Sequence, residues 1–318
     1  MLTVEAVRSH PKKPGGYLAF GVAAALLALV IIPVFWALKS GQADTLAAMW
    51  VRLITFFGTF LALLGILVGV GAGVTGQRMG VLWTARNTYS LSRLQIVLWT
   101  LLVLSALAAV VACRVHGLII PHQSGAVLGD PLNIFIPGEL LAVMGISVLS
   151  AAAAPAILSV KAQSESPRVD QLDAAAARVG REVQTVGQVA VRPTDCPPLI
   201  RDLFQGDDVA KTGTVDIGKV QQAGVTLVLW AAYFSLLVQL FVQGRADAKG
   251  MTNLPAFSET FVYLLGISHV GYLAYKATPA TAPGHIGATP LPASTASLPR
   301  PVPPVDLTRP FPQNADAP

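Results

Sequence analysis

Five stretches of this chain run for 20 residues or more without a charged side chain: Tyr17 to Leu38, Leu53 to Val74, Leu94 to Cys113, Leu140 to Val160 and Gln221 to Gln243. About 20 helical residues cross a hydrocarbon core roughly 30 Å thick, so each reads as a transmembrane helix. A sixth stretch, Pro255 to Tyr275, has Glu259 near its start and His269 inside. Only 12% of the 318 residues are charged, against about 25% in soluble domains. The expected fold class is an all-α integral membrane protein with a six-helix transmembrane bundle.

Arg8, Lys12 and Lys13 precede the first span, as cations precede an export signal. The 22 uncharged residues exceed the roughly 7 to 15 of a signal core, so the span reads as a retained anchor. Lys and Arg near the span ends decide orientation. With the N-terminus inside, the inner flanks hold Arg8, Lys12, Lys13, Arg78, Arg86, Arg93, Lys161, Arg168, Lys219 and Lys276, and the outer flanks Lys39, Arg52, Arg114, Arg245 and Lys249. Ten against five predicts both termini in the cytoplasm of a bacterium, with the bundle in its inner membrane. Cys113 and Cys196 then lie on opposite sides of the bilayer and form no disulfide within one chain.

The expected organisation is a cytoplasmic N-terminus (1–16), four transmembrane helices (17–160), a cytoplasmic segment (161–219), two transmembrane helices (220–277) and a disordered Pro-rich tail (278–318). Within the cytoplasmic segment, Val169 to Val186 is rich in Ala and long polar residues and predicts an amphipathic helix, ended by Pro193, Pro197 and Pro198. The tail holds eleven prolines and almost no large apolar residue except Phe311, a composition that cannot bury a core.

"SLSRLQ" from Ser90 and "DIGKVQ" from Asp216 share one pattern, and a span, an outer loop, a "GIS" element and a return span follow each. This reads as two parallel hairpin repeats. Arg93 and Lys219 are expected at the inner headgroups, with Gln95 and Gln221 deeper, seeking partners on neighbouring helices. Gly145 and Ser147, with Gly266 and Ser268, read as close-packing positions, and Gly65, Gly69 and Gly73 strip one face of the second span for the same purpose. The combination "YSLSRLQIVLW", "PLNIFIPGELLAVMGIS", "LFQGDDVAKTGTVDIGKVQ" and "LLGISHVGYLAYKA" resembles a group of uncharacterised bacterial multi-pass membrane proteins. The resemblance covers about residues 88 to 277 and implies nothing catalytic.

Several motifs suggest chemistry. "GVGAGVTG" has dinucleotide-binding spacing at Gly71, Gly73 and Gly76, but it follows a long apolar run rather than a short strand. Ser268 beside His269 suggests a serine hydrolase, yet adjacent helical residues point about 100° apart. His116, His122 and Asp130 in the outer loop share no evident face for a metal. Asp202, Asp207 and Asp208 match no calcium loop and read as capping and solubilising groups. Glu139, Glu259 and His269 are ionisable groups at or within spans, where charge is expensive and retained for a pathway or a partner.

The expected function is a non-enzymatic membrane scaffold that recruits a cytoplasmic protein through residues 161–219 and the tail. The competing reading is a channel or transporter for a small cation or proton, built around Gln95, Gln221, Glu139, Glu259 and His269. No catalytic, cofactor or metal residue is assigned, and no cofactor is expected. The expected partners are the lipid bilayer and a cytoplasmic protein; a homo-oligomer is left open, and nucleic acid is not expected.

Overall fold

The computed structural model describes residues 46–118, 132–193, 195–244 and 253–278. The first predicted span, His122, Asp130 and the Pro-rich tail lie outside the described residues. The chain is mostly helical, with α1 Leu46–Thr75, α2 Leu91–Val115, α3 Gly138–Ala162, α4 Val169–Val179, α5 Ile217–Gln243 and α6 Glu259–Ala277. Four of these, α1, α2, α3 and α5, are long and apolar enough to cross a membrane. Helix α6 covers the sixth predicted span with 19 residues and is not among the four.

The helix starts follow from capping. Ser90 accepts from the Arg93 N–H at the start of α2, and Asp216 accepts from the Lys219 N–H at 3.1 Å at the start of α5, so the repeated pattern is twice an N-cap. Gly244, at φ 59°, ends α5 in the left-handed region that glycine adopts without penalty. Helix α1 packs on α2 and α5, α2 on α3, α3 on α6, and α5 on α6.

The helices meet over a set of packed rings. Phe56 stacks on Phe241 at 4.8 Å, Tyr233 stacks on Phe257 at 4.7 Å, and Trp99 meets Phe257 edge-on. Beside them Arg52, only 2% exposed, donates to the carbonyls of Phe241 at 2.8 Å, Val242 at 3.2 Å and Leu118 at 3.0 Å. A cation counted in the sequence as an outer-flank charge therefore satisfies the carbonyls that the last turn of α5 leaves open.

The segment between α3 and α5 departs from the expected helix over Val169 to Val186. Helix α4 stops at Gly180, whose φ of 72° gives a left-handed C-terminal cap. Beyond it β1 (Gln184–Val186) pairs antiparallel with β2 (Val189–Val191) around Gly187. The β-branched residues of "QTVGQVAV" fit a hairpin better than a further turn of helix.

The expected glycine stripe is also corrected in part. Gly69 is buried and Gly65 half-buried, but a side chain at Gly73 or at Gly145 would meet nothing within 4 Å among the described residues. The close approach in α1 is at Gly71, where a Cβ would lie 3.1 Å from the amide nitrogens of Gly80 and Val81. In the return helices, Ser147 is buried and donates to the Val143 carbonyl at 3.1 Å, and Gly266 faces Ile146.

Candidate functional site

The stretch "FQGDDVAK", Phe204 to Lys211, builds the most charged interior of the protein. A side chain at Gly206 would collide with the Lys211 backbone and Cβ at 2.4 to 2.5 Å, so the loop folds back on itself only with glycine there. This turn delivers Asp207 and Asp208 to the ends of α3, α5 and α6. Asp207 accepts from three cations: Arg86 at 2.6 Å and Lys219 at 2.9 Å on Oδ1, and Lys276 on Oδ2. The cations come from the loop before α2, the first turn of α5 and the last turn of α6. Lys219 donates as well to the Gln205 carbonyl at 2.6 Å, and Lys276 to the Tyr272 hydroxyl at 3.0 Å.

The neighbouring acids extend the anchorage. Asp208 accepts from Lys161 at the end of α3, at 2.8 Å. Asp202 binds the Arg192 guanidinium and caps a short turn by accepting from the Leu199 N–H at 2.8 Å. Asn87, at φ 58°, donates to the carbonyls of Pro193 at 2.7 Å and Cys196 at 2.8 Å and accepts from the Trp83 indole at 2.9 Å. The loop before α2 is thereby stitched to the segment between α3 and α5.

Burial by itself would raise the Asp207 carboxyl. The three surrounding cations, with the Lys276 hydrogen bond, outweigh it and hold the group well below the usual carboxylate range. Asp207 is therefore an anion at neutral pH, inside a cage of positive charge. Such a group is poor at exchanging protons and well suited to fastening chain segments together.

A second polar cluster lies deeper. Gln95 on α2 donates to the Thr226 hydroxyl on α5 at 2.8 Å. The Gln222 amide nitrogen on α5 faces three acceptors: Gln95 Oε1 at 2.9 Å, Ser150 Oγ on α3 at 3.4 Å and His269 Nδ1 on α6 at 3.2 Å. Nδ1 facing an N–H acts as the acceptor, which assigns the proton of the neutral ring to Nε2. Among the described residues, His269 Nε2, Gln222 Oε1 and Ser268 Oγ have no partner.

Two expectations change here. Gln221, expected to pair inside the bundle, is exposed on the outer face of α5, and its neighbour Gln222 makes the contacts. The helix phase, 100° per residue, decides which of two adjacent amides faces in. Lys219, expected to reach the headgroups, is buried on Asp207, whereas Arg93 remains exposed and donates to the Trp83 carbonyl.

Glu139 and Glu259 occupy the first turns of α3 and α6, where the helix dipole favours a negative charge. His269 lies ten positions beyond Glu259, about 15 Å along the helix. Among the described residues neither acid is bonded to the Gln222 cluster. His116 ends α2, and no group of three metal-ligating side chains is found among the described residues. Cys113 and Cys196 are both free.

Residue spacing did not reveal the Asp207 hub. Its one signal was that Asp207 and Asp208 are the only adjacent acids in the segment 161–219, which Lys161 and Lys219 bound. Compared with known protein families, curated proteins and solved structures, the chain matches none.

Proposed function

We propose that this protein is a non-enzymatic scaffold of the bacterial inner membrane, with both termini cytoplasmic, that holds a cytoplasmic partner against the bilayer. The observation that carries the reading is the attachment of Asp207 to Arg86, Lys219 and Lys276, reinforced by Asp208 on Lys161. A cytoplasmic segment that only linked two spans would need no buried ion pairs to fix its pose. Here residues 163–216 are fastened to the ends of three helices and to the loop before α2, which presents their outer surface in one orientation. That surface carries exposed apolar side chains at Leu199, Ile200 and Val215. The shared N-cap pattern at Ser90 and Asp216 supports the further proposal that the α2–α3 and α5–α6 hairpins descend from one unit.

The test is site-specific photocrosslinking of the full chain in cells. A crosslinker at Ile200 or Val215 should yield one discrete protein adduct, weakened in Asp207→Asn. No adduct from either position, or the same ladder from a crosslinker at lipid-facing Leu141, would overturn the scaffold reading.

A second reading, a path for a small cation or proton, is favoured by the Gln95, Gln222 and His269 cluster. Against it, the rings of Phe56, Trp99, Tyr233, Phe241 and Phe257 fill the space between that cluster and the outer side. Proton flux into proteoliposomes above the leak of empty vesicles, lost in His269→Leu with Gln222→Leu, would support it. Flux equal to empty vesicles would end it.

A further inference from the structure

Beside the Asp207 hub, a cavity of about 60 Å³ opens between the α4 to β2 segment and the 201–212 loop. Four arginines line it: Arg86, Arg181, Arg192 and Arg201. Their acidic neighbours are Glu182, Asp202 and Asp207, and two of these are already committed. Asp207 is taken by Arg86 and two lysines, and Asp202 by Arg192 and the Leu199 N–H. The guanidiniums of Arg181 and Arg201 have no hydrogen bond or ion pair among the described residues, so the wall carries free positive charge that only exposed Glu182 opposes. Arg192 is 8% exposed, and its Nε has no partner among the described residues.

A buried guanidinium N–H without an acceptor is costly, and guanidiniums left uncompensated along one wall repel one another. An anion in the cavity removes both costs. A carboxylate presents two oxygens in one plane. Here the donors come from three separate segments, just after α4, just after β2 and in the short turn at Ile200–Leu203, which suits the tetrahedral oxygens of phosphate. An adjoining cleft of about 290 Å³ shares Val179, Arg201 and Gln205 with the first and adds Arg178, Phe204 and Val215. It gives the remainder of such a ligand an apolar wall and a further cation.

We propose that this arginine cleft binds a phosphate group, carried either by a soluble phosphorylated compound or by an anionic lipid headgroup. The site is independent of the scaffold reading, since binding here requires no protein partner.

The test uses the full chain in phosphatidylcholine nanodiscs with pyrophosphate as the calorimetric probe. Saturable binding is expected, weakened about tenfold or more in the Arg181→Ala, Arg201→Ala double variant, at an unchanged unfolding temperature because neither side chain bonds any described residue. Arg168→Ala, an exposed arginine that does not line the cleft, should bind as the wild type does. Absence of saturable binding, equal binding by the double variant, or an equal loss in Arg168→Ala would overturn the site.

Native mass spectrometry after reconstitution with phosphatidylglycerol separates the two sources. Lipid retained by the wild type, displaced by pyrophosphate and lost in the double variant assigns the phosphate to a headgroup. Pyrophosphate binding without retained lipid assigns it to a soluble ligand.

Discussion

Lys276, in the last turn of α6, donates to Oδ2 of Asp207, which lies 69 positions earlier in the chain within the segment between α3 and α5. With Arg86 and Lys219 on Oδ1, this contact makes one carboxylate the meeting point of two helix ends and a loop. Removing one partner of a buried ion pair leaves uncompensated charge and costs about 3–5 kcal/mol. Asp207→Asn should therefore lose stability of that order in a denaturant titration followed by tryptophan fluorescence. Asp195→Asn, at an exposed position, should change stability by less than about 0.5 kcal/mol.

The same hub sets a pH dependence. The Asp207 carboxyl is held below its unfolded value of about 3.9, so its contribution is present above that pH and is lost as pH falls toward the folded value. The stability gap between wild type and Asp207→Asn should be constant from neutral pH to about pH 5 and should shrink below about pH 4. A gap that closes between pH 7 and pH 5 would contradict a caged carboxylate.

Adjacent glutamines on α5 should behave differently. Gln222→Leu leaves Gln95 Oε1 and His269 Nδ1 without their donor, whereas Gln221→Leu changes an exposed position. Hydrogen bonds between membrane helices are worth about 0.6 to 2 kcal/mol. Detergent-induced unfolding should show a loss in that range for Gln222→Leu and none for Gln221→Leu.

Two glycines offer a paired test of backbone geometry. Gly187 has φ 53°, and a Cβ there would lie 2.5 Å from the Ala162 carbonyl oxygen, so Gly187→Ala should cost more than about 1 kcal/mol. A Cβ at Gly73 meets nothing, and alanine is the better helix former, so Gly73→Ala should be neutral or stabilising by up to about 1 kcal/mol. Thermal melts of the two variants check both.

The proposed orientation is open to direct labelling. Cys196 is half-buried in the cytoplasmic segment and Cys113 is fully buried in α2. A membrane-impermeant maleimide should label Cys196 in inverted inner-membrane vesicles and leave whole spheroplasts unlabelled. Labelling in spheroplasts would reverse the topology.

Apolar runs and caps were legible in the residues themselves. Lipid demands long uncharged helices, and the Ser90 and Asp216 caps depend on neighbours three positions away, so four of the predicted spans fall on helices long and apolar enough to cross a membrane. The end of α4 was legible too, in Gly180, although the alanine-rich stretch before it had extended the expected helix to Val186.

Local pattern could not reach the choice between Gln221 and Gln222, the burial of Arg52, or the three cations on Asp207. Each depends on which face a helix turns toward partners far away in the chain. Composition and short-range bonding decided that this chain forms long apolar helices. Tertiary packing alone decided which polar groups those helices bury together, because a side chain's solvent and partners are set by elements that the sequence around it does not contain.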